Sequence, residues 1–274
     1  MSSSMLCLNF SLFGQKLPKV SIKNTQYTVL TSKIYSHGYD INIYLPPDYE
    51  NSDKSYPVVY ILDADYNFGM VCYGTRHLTI NKDIPDVILV GIGKISSRRV
   101  RDYTPTKTSM SGSGGANQFI EFLRQELIPF ISSTYRVNDD RTIVGHSLGG
   151  LFAYYCLFNS PDLFKSYLAV SPSLWYDDEL VFKLEELSFV SNKILPSRIY
   201  SAVGELETRT NGMYHEMVQE HTRLTKQLQG RSYPKLMFKA ETLSDENHHS
   251  IFPRAFMNGM RFLFEETHLK TNDL

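Results

Sequence analysis

A serine stands between glycines at the end of a short β-branched run, in the segment Gly145-His-Ser-Leu-Gly-Gly150. The apolar run Leu151–Phe158 follows directly, so the pattern predicts a strand, a tight turn at Ser147 and a buried helix. The glycines leave space where a strand packs closely against the helix that follows it. A serine at such a corner has an exposed hydroxyl and lies beside the free N–H groups of a helix N-terminus. These features suit Ser147 to nucleophilic attack on a carbonyl group.

A serine hydroxyl is a poor nucleophile until a base removes its proton, so a histidine must reach Ser147. The chain has eight histidines, and the positions of six argue against that role. These six precede the serine, stand inside the turn, fall on a predicted helix or lie in the C-terminal tail: His37, His77, His146, His215, His221 and His268. The adjacent pair His248 and His249 remains, in a polar loop after the last predicted strand.

A carboxylate is expected behind the histidine, where it would fix the tautomer of the imidazole and stabilise its cation. The segment Val203-Gly-Glu-Leu-Glu-Thr208 follows a buried strand and offers Glu205 and Glu207. Glu207 is favoured over Glu205. A third reading, in which both are solvated and the serine works with histidine alone, stays open.

Two backbone N–H groups are expected to bind the oxyanion that forms during attack. The first belongs to Leu148, which begins the helix after the serine. The second comes from the loop after the strand at 57–62, at Ala64 or Asp65.

Buried apolar runs alternate with amphipathic segments along the chain, which predicts an α/β fold with a mostly parallel sheet and helices on both faces. Two half-buried strands, Tyr27–Leu30 and Tyr39–Leu45, predict an antiparallel start. Further strands are predicted at 57–62, 86–92, 166–170, 198–203 and 235–240, and helices at 118–132, 177–190, 213–228 and 252–266. Asp63–Gly69 is predicted to be a polar loop, and 94–115 a polar segment leading to the site.

Composition excludes several classes of protein. A net charge of −1 over 274 residues offers no general field for nucleic acid or an anionic membrane. The three cysteines, Cys7, Cys72 and Cys156, have neither disulfide nor zinc spacing, and no metal or cofactor is expected. No run approaches a membrane span, and the N-terminus lacks a basic region and a cleavage site, so a cytoplasmic protein is expected.

One domain is expected over residues 20–266, since no linker divides the chain. Residues 1–19 form an N-terminal extension and 267–274 a tail, while 176–197 is expected to form a small helical cap over the site.

Several motifs resemble the Putative esterase family of α/β hydrolases, in the branch that includes enterobactin and salmochelin esterases. They run in family order from about residue 20 to 265: Tyr60-Ile-Leu-Asp-Ala-Asp65, Arg101-Asp-Tyr-Thr-Pro105, Gly114-Gly-Ala116, Glu126-Leu-Ile-Pro-Phe-Ile131, Gly145-His-Ser-Leu-Gly-Gly150, Ser171-Pro-Ser-Leu-Trp175, Val203-Gly-Glu-Leu-Glu207 and Asn247-His-His-Ser250. The resemblance implies an α/β-hydrolase fold, with Ser147 as nucleophile, His248 as base and Leu148 as an oxyanion donor. His249 departs from the glycine that usually follows the base, and the acid is poorly defined in this branch.

The resemblance implies a serine carboxylester hydrolase that works through an acyl-enzyme on a siderophore-type or other small acyl or aryl ester. The alternatives are an acyltransferase with the same residues and a non-catalytic binding protein. A small-molecule ester is the expected partner. Basic residues near the site would either receive an anionic substrate or pair structurally: Lys94, Arg98, Arg99, Arg101 and Lys107. Trp175 is expected to form either a pocket wall or part of the core, and Tyr66 and His146 are further candidate substrate contacts.

Overall fold

An eight-stranded sheet runs through the molecule in the order β1-β2-β4-β3-β5-β6-β7-β8. The computed structural model describes residues 20–93, 98–191, 195, 197–231 and 233–265, so Lys94, the extension 1–19 and the tail 267–274 lie outside it. The strands are β1 Thr25–Thr31, β2 Gly38–Tyr44, β3 Tyr56–Ile61, β4 Ile88–Gly93, β5 Val137–His146, β6 Ser166–Val170, β7 Arg198–Gly204 and β8 Met237–Leu243. β2 pairs antiparallel with β1 and β4, and every other pairing is parallel, so the predicted fold class and antiparallel start are confirmed.

Helices cover both faces of the sheet, because side chains of the buried strands alternate between two hydrophobic cores. Tyr60 and Ile143 belong to one core, whereas their neighbours Val59 and Val144 belong to the other. The helices are α1 Ala64–Ile80, α2 Arg99–Tyr103, α3 Ala116–Phe122, α4 Ile128–Thr134, α5 Leu148–Asn159, α6 Tyr176–Val190, α7 Met217–Arg231 and α8 Phe252–Leu263. Both faces are thereby closed, and ligands must approach at the carboxyl edge of the parallel strands.

Helix α1 corrects one prediction. The polar stretch Asp63–Gly69 was expected to be a loop, and it forms the first two turns of this helix instead. The reason lies further along the chain, since Phe68, Val71 and Leu78 are buried at helical spacing against the sheet. The polar residues of the first turns are left to face the carboxyl edge of β3.

The helix expected at 118–132 is interrupted. α3 runs into a π-helical turn, Leu123–Leu127, before α4 begins at Ile128. Pro129 lacks an N–H group, and in a regular helix its ring would clash with the carbonyl four residues earlier. The wider turn accommodates the proline.

Helix α6 lies in the segment expected to be a cap, and it serves as the crossover from β6 to β7. Parallel neighbours need such a connection. The helix packs beside α5, and its buried Glu185 accepts a hydrogen bond of 2.8 Å from the hydroxyl of Tyr233.

None of the helices in the described ranges has the length and apolar character needed to cross a membrane.

Candidate active site

Ser147 occupies a strained corner between β5 and α5. Its backbone has φ 61° and ψ −118°, a conformation that non-glycine residues rarely adopt. The strand and helix approach so closely that a Cβ on Gly145 would lie 2.2 Å from the carbonyl oxygen of Gly149. A Cβ on Gly150 would lie 2.9 Å from Cα of Pro172. Backbone contacts therefore require glycine at 145 and 150, whereas a Cβ on Gly149 would meet only side chains, at 3.5 Å or more.

Gly145→Ala is expected to lower the free energy of unfolding by about 3 kcal/mol, because the clash is with backbone that has no rotamer to escape into. Gly230→Ala is the matched control, since a Cβ there meets nothing within 4 Å, at the end of α7. It should leave the stability unchanged or raise it by about 0.5 kcal/mol. Urea unfolding of both variants measures the difference, and equal stabilities would contradict the tight corner.

A buried carboxylate lies behind His248. Glu207 is 0% exposed, and its Oε2 lies 2.6 Å from Nδ1 of His248. Its other oxygen, Oε1, accepts hydrogen bonds from the hydroxyl of Ser171 at 2.5 Å and from the N–H of Gly204 at 2.7 Å. Glu205 is exposed, and its carboxylate accepts instead from the backbone N–H of Asp245 at 3.2 Å. Of the two candidate acids, the structure places Glu207 against the histidine.

Ser147 and His248 line the same cleft, of about 500 Å³, at the carboxyl edge of the sheet. Because Nδ1 of His248 faces Glu207, Nε2 is the nitrogen left to take a proton from the serine. Four segments, after β3, β4, β5 and β8, supply the lining: Asp63, Tyr66, Asn67, Arg99, His146, Ser147, His248, His249 and Phe252. The three predicted components of a proton relay therefore meet at one edge, although they are up to 101 positions apart in the chain.

Ser171 and Ser173 were not among the site residues predicted from the sequence. Both are buried in the turn after β6, and Oγ of Ser173 lies 3.5 Å from Oγ of Ser147. The backbone N–H of Ser173 donates to the carbonyl of Ser147 at 3.1 Å, so this turn supports the corner. The available signal was a pair of serines directly after a buried strand, at the edge where ligands bind.

Two helix N-termini converge on the cleft. α5 begins at Leu148 and α1 at Ala64, after the adjacent strands β5 and β3. The first N–H groups of a helix have no acceptor within it, so those of Leu148 and Ala64 are suited to bind a developing oxyanion.

The arginines of the loop after β4 are held by structural contacts. Arg99 forms two hydrogen bonds to the carboxylate of Asp63, at 2.9 and 3.0 Å, and burial raises the pKa of that carboxylate while Arg99 opposes the shift. Arg101 pairs with the fully buried Asp102 at 2.6 Å, and Arg98 donates to the carbonyl of Gly38 at 2.8 Å. Arg99 lines the cleft and Arg101 does not. Arg101 is therefore paired structurally with Asp102.

Trp175 is half-buried and stacks on His215, with ring centroids 4.1 Å apart and planes at 3°. Neither ring is in the lining of the cleft. His215 precedes α7, so the helix predicted from Met213 begins four residues later. Tyr66 and His146 do line the cleft, and the ring of Tyr66 is open to solvent because the residue is 81% exposed.

A comparison with protein-family models matches residues 32–242 to the family described as Putative esterase. The chain belongs to this family. A relative of this esterase is the ferri-bacillibactin esterase BesA of Bacillus subtilis, 31% identical over 264 residues that cover 88% of this chain and 90% of the relative. The siderophore enterobactin esterase of Emericella nidulans is 27% identical over 253 residues, covering 77% and 83% of the two chains.

Solved structures agree with the assignment of this chain to the esterase family. The BES protein from Bacillus cereus superposes with a TM-score of 0.81 at 28% identity, covering 91% of this chain and 98% of its own. An IroE-like serine hydrolase from Shewanella oneidensis gives 0.80 at 30% identity, covering 88% and 80%. The expected family, fold class and enzyme class are confirmed: the protein is a serine hydrolase that acts on carboxylic esters. The acyltransferase and non-catalytic alternatives are not favoured.

Proposed function

We propose that this esterase hydrolyses siderophore-type esters through an acyl-enzyme, with Ser147 as nucleophile, His248 as base and Glu207 as acid. The observation that supports this proposal most strongly is the 2.6 Å distance between Oε2 of the buried Glu207 and Nδ1 of His248. Ser147 and His248 line the same cleft. A buried carboxylate on Nδ1 presents the other ring nitrogen as a proton acceptor.

In the proposed reaction, Oγ of Ser147 forms a bond to the ester carbonyl carbon as its proton passes to Nε2 of His248. Glu207 stabilises the imidazolium. The N–H of Leu148 and that of Ala64 or Asp65 hold the negative oxygen. The carbon–oxygen bond of the ester then breaks, and the alcohol leaves with the proton from His248. Water, deprotonated by the same histidine, attacks the acyl-enzyme and returns free serine and a carboxylic acid.

The substrate class is inferred from relatives and from the cleft. Two relatives carry names of siderophore esterases, and both match most of this chain. The cleft is lined by polar and aromatic groups, among them Tyr66, Asn67 and His249. Flat, half-polar side chains of this kind suit an aryl amide or catecholate ester better than a long alkyl chain. The cytoplasmic location expected from the sequence stays a prediction.

A substrate panel tests the proposal. Wild type should hydrolyse a catecholate-bearing serine trilactone, iron-loaded or iron-free, with kcat/KM at least about tenfold above that for p-nitrophenyl butyrate, since binding of remote groups contributes to catalysis. Mass spectrometry of the products and of a fluorophosphonate adduct on Ser147 gives the readout. Preference for simple alkyl esters would contradict the substrate class. Product transferred to an added alcohol in excess of hydrolysis would favour acyl transfer instead.

A further inference from the structure

His146 has a side chain that the proposed chemistry does not use. Its ring lies against the ring of His248, with centroids 4.6 Å apart and planes at 38°, and 6.0 Å from the ring of Phe252. One side chain of the nucleophile strand therefore packs against the ring of the catalytic histidine.

The ring of His146 is uncharged. Burial, with smaller contributions from the neighbouring His248 and Arg99, lowers its pKa to about 3. A neutral ring adds no repulsion when His248 takes up a proton. Nε2 of His146 is buried and has no hydrogen-bond partner within the described residues. Burying such an unpaired nitrogen destabilises the fold relative to an apolar ring, so stability alone would favour phenylalanine here.

His248 needs a second restraint. Its hydrogen bond to Glu207 fixes one ring atom, Nδ1, and leaves the plane of the ring free to tilt. A tilt moves Nε2 away from the serine, and misplacement of about 1 Å can cost a hundredfold in rate. The ring of His249, which is exposed, lies 5.7 Å from that of His248 at an interplanar angle of 80°. The buried face of His146 is the stronger restraint.

His146 is itself held in place. Its carbonyl accepts a hydrogen bond of 3.0 Å from Arg99, whose guanidinium is fixed by the carboxylate of Asp63. Its backbone pairs with Val170 in the sheet. The chain of contacts from Asp63 through Arg99 and His146 to His248 joins the three loops that supply the oxyanion site, the nucleophile and the base.

We propose that His146 is a positioning residue, which fixes the plane of the His248 imidazole over Ser147 by packing its ring face against it. This role rests on the proposed assignment of Ser147 and His248. It differs from the substrate contact that the sequence suggested for His146.

Three variants test the role, with p-nitrophenyl butyrate as the probe. His146→Ala should lower kcat about tenfold or more with KM within about twofold, because the base is misaligned while the cleft remains. His146→Phe keeps a ring face and should recover part of that loss, with stability at least equal to wild type. Val144→Ala is the control: it removes fully buried volume two positions earlier on the same face of β5, and should lower stability while keeping kcat within about twofold.

A kcat of His146→Ala within twofold of wild type would overturn the positioning role, as would an equal kcat loss in Val144→Ala. No recovery in His146→Phe would overturn the part assigned to the ring face. These outcomes are separate from failure of the proposed function, which would appear as equal turnover by wild type and a Ser147→Ala variant.

Discussion

Ser147→Ala is expected to lower kcat/KM for ester hydrolysis by roughly 10³- to 10⁶-fold, since the acyl-enzyme can no longer form. The fold should be unchanged, because the lost hydroxyl makes a single contact among those described, the 3.5 Å approach to Ser173. Ser173 cannot substitute for it, being 1% exposed and outside the lining of the cleft. Steady-state kinetics with p-nitrophenyl butyrate and fluorophosphonate labelling measure the loss.

Ser147→Gly separates the chemistry from the strain at the same position. The φ of 61° and ψ of −118° cost a residue with a Cβ about 1–3 kcal/mol, and glycine adopts such angles freely. The glycine variant should be as inactive as Ser147→Ala. It should unfold at a higher urea concentration than both Ser147→Ala and the wild type. Retained turnover in either variant would remove Ser147 from the mechanism. Lower stability of the glycine variant would mean that the corner is not strained.

The corner itself was predictable from local sequence, because strand, glycines, serine and helix occupy adjacent positions between 141 and 158. The parallel sheet was predictable for a similar reason, since each buried strand is a continuous apolar run. The helix at Ala64–Ile80 was missed. Its first turns are polar and face the cleft, and the buried positions that make it a helix become meaningful only against the finished sheet.

Contacts between residues that lie far apart in the chain could not be predicted from local sequence patterns. The sequence left open whether Glu205 or Glu207 is the acid, because the answer depends on which carboxylate points inward. The turn at Gly204 and the hydroxyl of Ser171, 36 positions away from Glu207, determine this. The role of the basic residues after β4 also could not be decided from the sequence. Their charge left open either an anion site or structural pairing, and the structure gives Arg99 and Arg101 each a carboxylate partner.

Glu207→Gln is expected to lower kcat roughly 10³- to 10⁴-fold, and more than Glu207→Ala does. The backbone N–H of Gly204 points at Oε1 and can only donate, so the amide oxygen of glutamine must occupy that position. The amide NH₂ then faces Nδ1 of His248, where the carboxylate Oε2 now lies at 2.6 Å. Two N–H groups cannot share one hydrogen bond, so the imidazole must carry its proton on Nε2 and cannot accept one from Ser147.

Alanine at position 207 imposes no tautomer, and water can enter the space that the carboxylate leaves, so we expect a smaller loss of about 10²-fold. The decisive measurement is which of the two variants has the lower kcat, because cavity formation alone would make Glu207→Ala the slower enzyme. Thermal unfolding should show the reverse order, with Glu207→Ala less stable, since it leaves the buried N–H of Gly204 without its partner. If glutamine supports faster turnover than alanine, Glu207 serves to fill space and His248 works without an acid.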